Sequence, residues 1–523
     1  MANPEDRATQ SGARGPEGGL GPGVIDAGLD TEDDTVVLAT QAAAPVATEI
    51  EPDAAAEPSP GTGRRGGRGG RGGRPGYLTR DLTEGSIPRN LWSISWPQSV
   101  ESLLNASDQL LDLLWAGRLG ATSIAGLGVG QTYIQVGMTG RMGFDMAMRA
   151  MVSRAVGARD LALAGHVALQ AFTLSGVFGI LMALIGVFLT EPLLRVVGVP
   201  ESVVQAGADY MRVQFIGSSA NAFRMMSATA LQASGDVMTP MRSTMVVRVF
   251  HVLLSPNLVF GWLFFPELGL VGAALANVIG QGIGAVINFR VLFGGSSRLH
   301  LSLKGYRPDF PLIWRLVKTG MPASITSAER SFANLFLLGI VSPYGATTLA
   351  AFSLTRRLEQ QVMMAARGFG QGAGILVGQN LGAGKPDRAR KTLAWGVLIV
   401  FFINFAMASF FMLFPEPLVR IFNSDREFLD TAVTWVRIAS IGYVFLGVGQ
   451  VYMQSYNTAG DTLVPMLVTL VSVWLIQQPL ALILPGLGFG ELGIAWAVVA
   501  AVFVRLLIYG PYYFGERWLR IRF

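Results

Sequence analysis

The 523-residue sequence contains no cysteine. That absence excludes a disulfide framework, thiolate metal centres and cysteine nucleophiles. Histidine is scarce as well: His166, His251 and His300 stand far apart, without the short spacings of metal ligands carried on one element. HExxH and Ser-centred nucleophile motifs are missing too, so neither a metal, a cofactor nor a membrane-embedded enzyme is expected. No apolar segment follows the start, and no signal peptide is expected there. Charge is the last scarcity, at 14% of residues where soluble domains carry about 25%.

Apolar residues are abundant, at 51%. Runs such as 172–189, 393–415 and 462–484 approach or exceed the roughly 20 residues that cross about 30 Å of hydrocarbon as a helix. Gly, Ser, Thr and isolated charges interrupt many of the others, a mixture suited to helices that line a water-filled cavity. Twelve spans are expected, at roughly 91–116, 121–148, 161–189, 202–232, 239–264, 269–293, 311–341, 346–378, 391–414, 428–456, 462–484 and 491–514. Residues 1–85 lack the apolar content to fold and read as a disordered tail, acidic at first and then Arg/Gly-rich. Its run GRRGGRGGRGGRPG (61–74) resembles an RGG box, but the aromatic residues that would stack bases are absent. A basic segment held by anionic lipid at the cytoplasmic face is the simpler reading, and no nucleic-acid partner is expected.

Taking that tail as cytoplasmic places the basic loops on the same side. They carry Arg149, Arg154 and Arg159; Arg290, Arg298, Lys304, Arg307 and Lys318; Lys385, Arg388, Arg390 and Lys391; and the terminal Arg517, Arg520 and Arg522. The opposite loops hold little beyond Arg118, Arg195, Arg420 and Arg426. By the positive-inside rule both termini are cytoplasmic, in a cell (inner or plasma) membrane.

The sequence repeats itself at an offset of 225 residues. Pro97 falls on Pro322, Gly120-Ala121-Thr122 on Gly345-Ala346-Thr347, and Gly157-Ala158 on Gly382-Ala383. Farther along, Glu191-Pro192-Leu193 falls on Glu416-Pro417-Leu418, Arg212 on Arg437, and Gly235-Asp236 on Gly460-Asp461. Shared hydrophobicity does not align charges, Gly and Pro in one register. Six helices per copy, an even number, give both copies the same orientation, so the halves are parallel repeats. The expected fold is an all-α membrane protein of two six-helix bundles, an amino-terminal lobe at 90–300 and a carboxy-terminal lobe at 311–517. Substrate sites of such architectures lie near the midplane, in or between bundles that rock against each other.

The segment GFGQGAGILVGQNLGAGKPDRARK (368–391) resembles the hallmark of the multidrug and toxic compound extrusion (MATE) family. DLLWAGRLGA (112–121), ASGDVMTP (233–240), NTAGDTLVP (457–465) and LGLVGAALANV (268–278) resemble further landmarks of that family, in order along residues 90–517. The resemblance implies a secondary active antiporter rather than an enzyme, one that exports amphipathic, often cationic, compounds in exchange for inward-moving H⁺ or Na⁺ by alternating access. A monomer is expected, with lipid and small drug-like molecules as its partners.

Glu101, Asn105, Asp108 and Asp112 follow one another at spacings of four, three and four, on one face of the first helix. An ionised acid facing lipid costs about 2.5–3.5 kcal/mol on insertion scales, so this face lines a cavity, meets a base or binds a cation. Two readings stand side by side, a buried structural network with Arg149, Arg224 or Arg248 and a relay for the coupling ion. Asp112, just ahead of Trp115-Ala116-Gly117, matches the first-helix acid to which the resemblance assigns ion coupling. In the seventh helix many relatives carry Glu eight residues after the initiating Pro, where this chain has Arg330 and places Glu329 one residue early. One residue turns a side chain by about 100°, leaving Glu329 as either a coupling group or half of a buried pair with Arg330. Arg356, Glu359 and Gln360 on the eighth helix and Gln450 and Gln454 on the tenth are candidates to line the substrate cavity, although Arg356 and Glu359 also suit a packing pair. Gly382 and Gly384 are expected to make tight turns at the end of the eighth helix. A lipid-linked oligosaccharide flippase of the same superfamily is the alternative. Its cavity would be strongly cationic to hold pyrophosphate, and the acidic first helix argues against it.

Overall fold

The computed structural model describes residues 81–521, apart from Gly120, Val197, Val199, 263–264 and 423–424, and leaves aside the side chains of 107–111, 113–114, 117, 121 and 206. The expected disorder of the tail lies outside the described residues up to position 80. Residues 81–85 correct the remainder of that expectation. Leu82 is buried beside Val237 and Phe369, and Asn90 Nδ2 donates to the Leu82 and Glu84 carbonyls at 3.2 and 2.7 Å. Lys385 Nζ and Arg388 Nη2 donate to the carbonyls of Thr83 and Gly85 at 3.2 and 2.8 Å.

Twelve long helices follow: α1 Ile87–Leu119, α2 Ala121–Gly157, α3 Leu161–Phe188, α4 Glu201–Ser234, α5 Met238–Phe260, α6 Gly269–Phe293, α7 Phe310–Val341, α8 Ala346–Gly382, α9 Pro386–Leu413, α10 Arg426–Thr458, α11 Leu463–Phe489 and α12 Leu492–Phe514. Their ends are written in the sequence. Asp160 and Asp309 begin α3 and α7 by accepting from the Leu163 and Leu312 N–H groups at 2.8 and 3.1 Å. Gly235 and Gly460 take φ of +100° and +95° after α4 and α10, a conformation that glycine adopts without strain. The aspartates that follow them, Asp236 and Asp461, accept from the N–H groups of Thr239 and Val464 at 3.1 and 3.2 Å and so cap α5 and α11. The segment joining the halves is pinned to α3. Gln170 donates to the Arg307 carbonyl at 2.8 Å and accepts from the Asp309 N–H at 3.1 Å. The Leu312 N–H and His166 together hold the Asp309 carboxyl below its usual range.

Large apolar side chains point outward, as lipid rather than water requires. On α3, Val177, Ile180, Leu184 and Phe188 are all at least half exposed along one face. Among the described residues, seven helices are long and apolar enough to span a membrane by length and composition alone. The other five, α1, α2, α4, α7 and α8, carry the polar residues that interrupt the runs, and four of these, α1, α2, α7 and α8, form the seam between the bundles.

That seam is two-fold in character. A Cβ on Gly157 would lie 2.0 Å from the Gln379 carbonyl oxygen, and one on Gly382 would lie 2.0 Å from the Arg154 carbonyl oxygen. Residues 157 and 382, and 154 and 379, are equivalent under the 225-residue offset. Gly143 against Ser324 and Gly368 against Ser99 form a second equivalent pair, both at 2.2 Å from the glycine's absent Cβ to the hydroxyl. Parallel repeats about an axis along the membrane normal produce this reciprocity. Gly382 is therefore a close-approach glycine rather than the turn residue expected from the sequence, and Gly384, at φ +68°, makes the turn.

All these contacts lie in the half of the molecule where α1 starts and α2 and α8 end. Arg154 adds to them, donating to the Ile521 and Ala459 carbonyls at 2.6 and 2.7 Å. In the other half the facing helices expose polar groups: Thr132 and Gln135 on α2, and Ser353, Arg357, Gln360 and Arg367 on one face of α8. Exposed polar side chains within membrane spans line water, so the bundles part towards the end where α1 stops and α2 starts.

Candidate functional site

The acidic face of α1 meets a matching face of α5. Glu101, 6% exposed, accepts from Thr244 Oγ1 at 3.2 Å and from Gln232 Nε2 at 2.9 Å. One turn on, Asn105 Oδ1 accepts from Arg248 Nη2 at 2.8 Å. Farther along, Asp112 Oδ1 lies 3.4 Å from His251 Nε2, with the two residues 4% and 1% exposed. Thr244, Arg248 and His251 follow at spacings of four and three, so α5 rises alongside α1 in register. Asp108 belongs to the same α1 face by position, and its side chain lies outside the described residues.

Arginines close the lower part of this network. Arg149 Nη2 donates to Gln232 Oε1 at 3.4 Å, Arg224 Nη1 donates to Thr244 Oγ1 at 3.2 Å, and Arg224 Nε donates to Gln281. Glu101 is thereby linked to two guanidiniums through neutral side chains. Asp145 takes Arg141 directly, at 2.8 Å. The basic partners anticipated for the structural network, Arg149, Arg224 and Arg248, stand around Glu101 and Asn105. Asp112 has a different neighbour, His251, which the wide spacing of the three histidines in the sequence does not single out. Its signal was available: His251 shares an α5 face with Arg248, and a histidine inside a membrane span is rare without a partner.

The carboxy-terminal bundle is arranged differently. Glu329 on α7 is 5% exposed, near the Arg330 and Arg505 guanidiniums and the Trp474 indole. Arg356 on α8 reaches Glu359 at 2.5 Å and also donates to Asn334 on α7. Thr355, Arg356, Glu359 and Tyr443 form the polar side of a cavity of about 30 Å³ whose apolar side includes Phe352, Trp435 and Val499. The Tyr443 hydroxyl donates to the Thr355 carbonyl at 2.6 Å. Gln360 is exposed on the polar face of α8. Gln450 and Gln454 are buried where α10 crosses α8 at Gly370, away from that face. Within α11, Val471–Gln477 is wound as a π-helix, and its Ser472 accepts from Arg505 Nε at 3.2 Å. Wide turns of this kind recur where a helix serves a site.

Two parallel six-helix bundles, each with buried charge and with polar faces lining the space between them, define a polytopic membrane transporter. The MatE family model matches residues 97–257 and 322–483, once in each repeat, and the chain belongs to this family. It is similar to the probable multidrug resistance protein YoeA of Bacillus subtilis (strain 168), 25% identical over 452 residues, covering 84% of this chain and 96% of the relative. It is also similar to an FAD transporter of Shewanella oneidensis, 21% identical over 444 residues, covering 83% and 96%. Among solved structures, the outward-facing conformation of a multidrug resistance MATE family transporter of the MOP superfamily superposes with a TM-score of 0.78. That likeness, at 18% identity over 84% of this chain and 98% of the other, is one of fold.

Proposed function

We propose that the chain exports amphipathic organic compounds in exchange for protons, by alternating access between its two bundles, with Asp112 as the coupling carboxylate. The observation that carries the reading is the buried Asp112–His251 pair, 3.4 Å apart within the amino-terminal bundle. A carboxylate held between two helices accepts hydrogen bonds when charged and donates one when protonated, so each protonation event changes how α1 meets α5. His251 stands beside Asp112, and Arg248, one turn earlier on α5, brings a guanidinium to the same helix pair at Asn105. Such neighbours suit a titrating acid, whereas Na⁺ asks for several oxygen ligands. With both termini in the cytoplasm, the seam closes the cytoplasmic half and the cavity opens outward.

The test is dye efflux from proteoliposomes under separately imposed gradients. A proton gradient of about one pH unit, worth about 1.4 kcal/mol per proton, drives efflux, and a Na⁺ gradient at clamped pH does not. Transport driven by Na⁺ alone overturns the ion, and transport driven by neither gradient overturns antiport itself.

Among the described residues no helix of either bundle begins before residue 87, so the preceding tail is not required for transport in this reading. Deleting residues 1–79 keeps efflux per inserted molecule within about twofold, as expected of a peripheral lipid anchor. Extending the deletion through Leu82 and Thr83 lowers it further, because Leu82 packs beside Val237 and Phe369 and Thr83 receives Lys385. An inserted but inactive 1–79 deletion contradicts this.

A further inference from the structure

The carboxy-terminal bundle holds more positive charge than its own acids neutralise. Arg367 on α8 and Arg505 on α12 each lie within electrostatic reach of Arg330 on α7. Among the described residues none of the three makes a salt bridge. Glu359 is taken by Arg356, and Glu329 stands near Arg330 and Arg505 without closing on either.

Comparison of the repeats shows how this excess arises. In the amino-terminal bundle Arg224 packs its Cδ against Gly284, 2.7 Å from where a Cβ would be. In the carboxy-terminal bundle Gly449 stands at the equivalent of Arg224 under the 225-residue offset. The register of the final helix shifts to 221, bringing Gly272 onto Gly493 and Gly284 onto Arg505. Arg505 Cδ then lies 3.6 Å from the position of a Cβ on Gly449. An arginine thus fills the same space in both bundles, reached from opposite helices. Its surroundings differ: Thr326 replaces Glu101, and Arg330 replaces Asn105. The second copy has lost an acid and gained a base at the two places where the first copy satisfies its network.

We propose that Arg330, Arg367 and Arg505 form a subsite for an anionic oxyacid group, a carboxylate or phosphate, on an amphipathic substrate. Arginine forks match both groups in bidentate geometry. Guanidiniums brought together repel one another, and an anion that joins them relieves that repulsion. Val502, one turn before Arg505, lines the apolar side of the neighbouring cavity with Phe352 and Trp435; at about 30 Å³ that cavity has room for about one water, so the apolar remainder of the substrate lies outside it. The π-wound Val471–Gln477 segment widens α11 at this site and presents Ser472 to Arg505. The proposal rests on the reading of the chain as an exporter of amphipathic compounds and names the class it selects.

The experiment is equilibrium binding in phosphatidylcholine nanodiscs, without any gradient, so its failure is separable from failure of antiport. Two xanthene dyes are compared, rhodamine 6G, which is an ethyl ester, and its free acid, which carries a carboxylate on the same rings. The acid binds about tenfold more tightly than the ester, and in Arg330→Gln/Arg505→Gln the ratio falls to about one. Thermal melting of the variant verifies its fold, and the wild-type preference needs no variant. Repeating the titration with one lipid in five as phosphatidylglycerol separates the sources. Weaker acid binding there means that a lipid phosphate reaches the same arginines, and unchanged binding means that the soluble carboxylate is the occupant. Equal or tighter binding of the ester by the wild-type protein, or a preference that persists in a folded variant, overturns the proposal.

Discussion

Asp112→Asn inserts and folds but loses gradient-driven efflux by at least about 20-fold, an effect of roughly 1.8 kcal/mol or more on the driven step. Asn keeps the shape of the side chain and removes its titration. Because Asn imitates the protonated acid, the α1–α5 contact is fixed in one of its two states and the coupling step stops. His251→Gln retains efflux and changes its pH dependence, since it removes the base beside the carboxylate while leaving the carboxylate itself. Glu329→Gln is milder than Asp112→Asn, because Glu329 stands among arginines that already dominate its surroundings. Initial rates per inserted molecule across external pH measure all three. Wild-type rates in Asp112→Asn would remove that residue from the coupling role.

Gly157→Leu and Gly382→Leu prevent closure of the seam, which the proposed topology places on the cytoplasmic side. A Cβ at either position falls 2.0 Å from a backbone carbonyl oxygen, which cannot swing aside as a flexible side chain can. Overpacking of a tight contact costs about 1–3 kcal/mol, and here the strain exists only in the outward-open state. Each substitution therefore shifts the population towards the inward-open state by about fivefold to 160-fold. Cysteines placed on the cytoplasmic halves of α2 and α8 become reactive to a water-soluble maleimide, and efflux falls. Gly339→Ala, with open space around it, leaves labelling unchanged. A seam that stays protected in both leucine variants contradicts the closure assigned to it.

Much of this organisation was legible in the sequence because the repeat fixes equivalences that hydrophobicity alone does not. The twelve expected spans fall on the twelve long helices, and Gly235-Asp236 and Gly460-Asp461 carry the same turn and cap in both halves. The acidic face of α1 was legible from spacing. Its partner face on α5 was not read, because Thr244, Arg248 and His251 are polar residues scattered in an apolar run until α1 is placed beside them. Gly382 was misassigned for a related reason. A glycine at a helix end serves equally as a turn or as a crossing point, and only the approach of α2 distinguishes them. Residues 81–85 were assigned to the tail because their composition is polar, yet Leu82 finds a pocket that no local pattern encodes. The arginine cluster was visible only as separate charges on three helices, and the exchange of Arg224 for Arg505 across the repeat depends on which helices face each other.

Proton release on substrate binding tests the coupling most directly. The protein, in lightly buffered detergent solution near neutral pH with a pH-sensitive dye, is mixed with a saturating transported compound. If substrate and proton compete through Asp112, the wild-type protein releases up to about one proton per bound molecule, and Asp112→Asn binds while releasing none. Binding without proton release in the wild-type protein, or equal release in Asp112→Asn, would contradict the account.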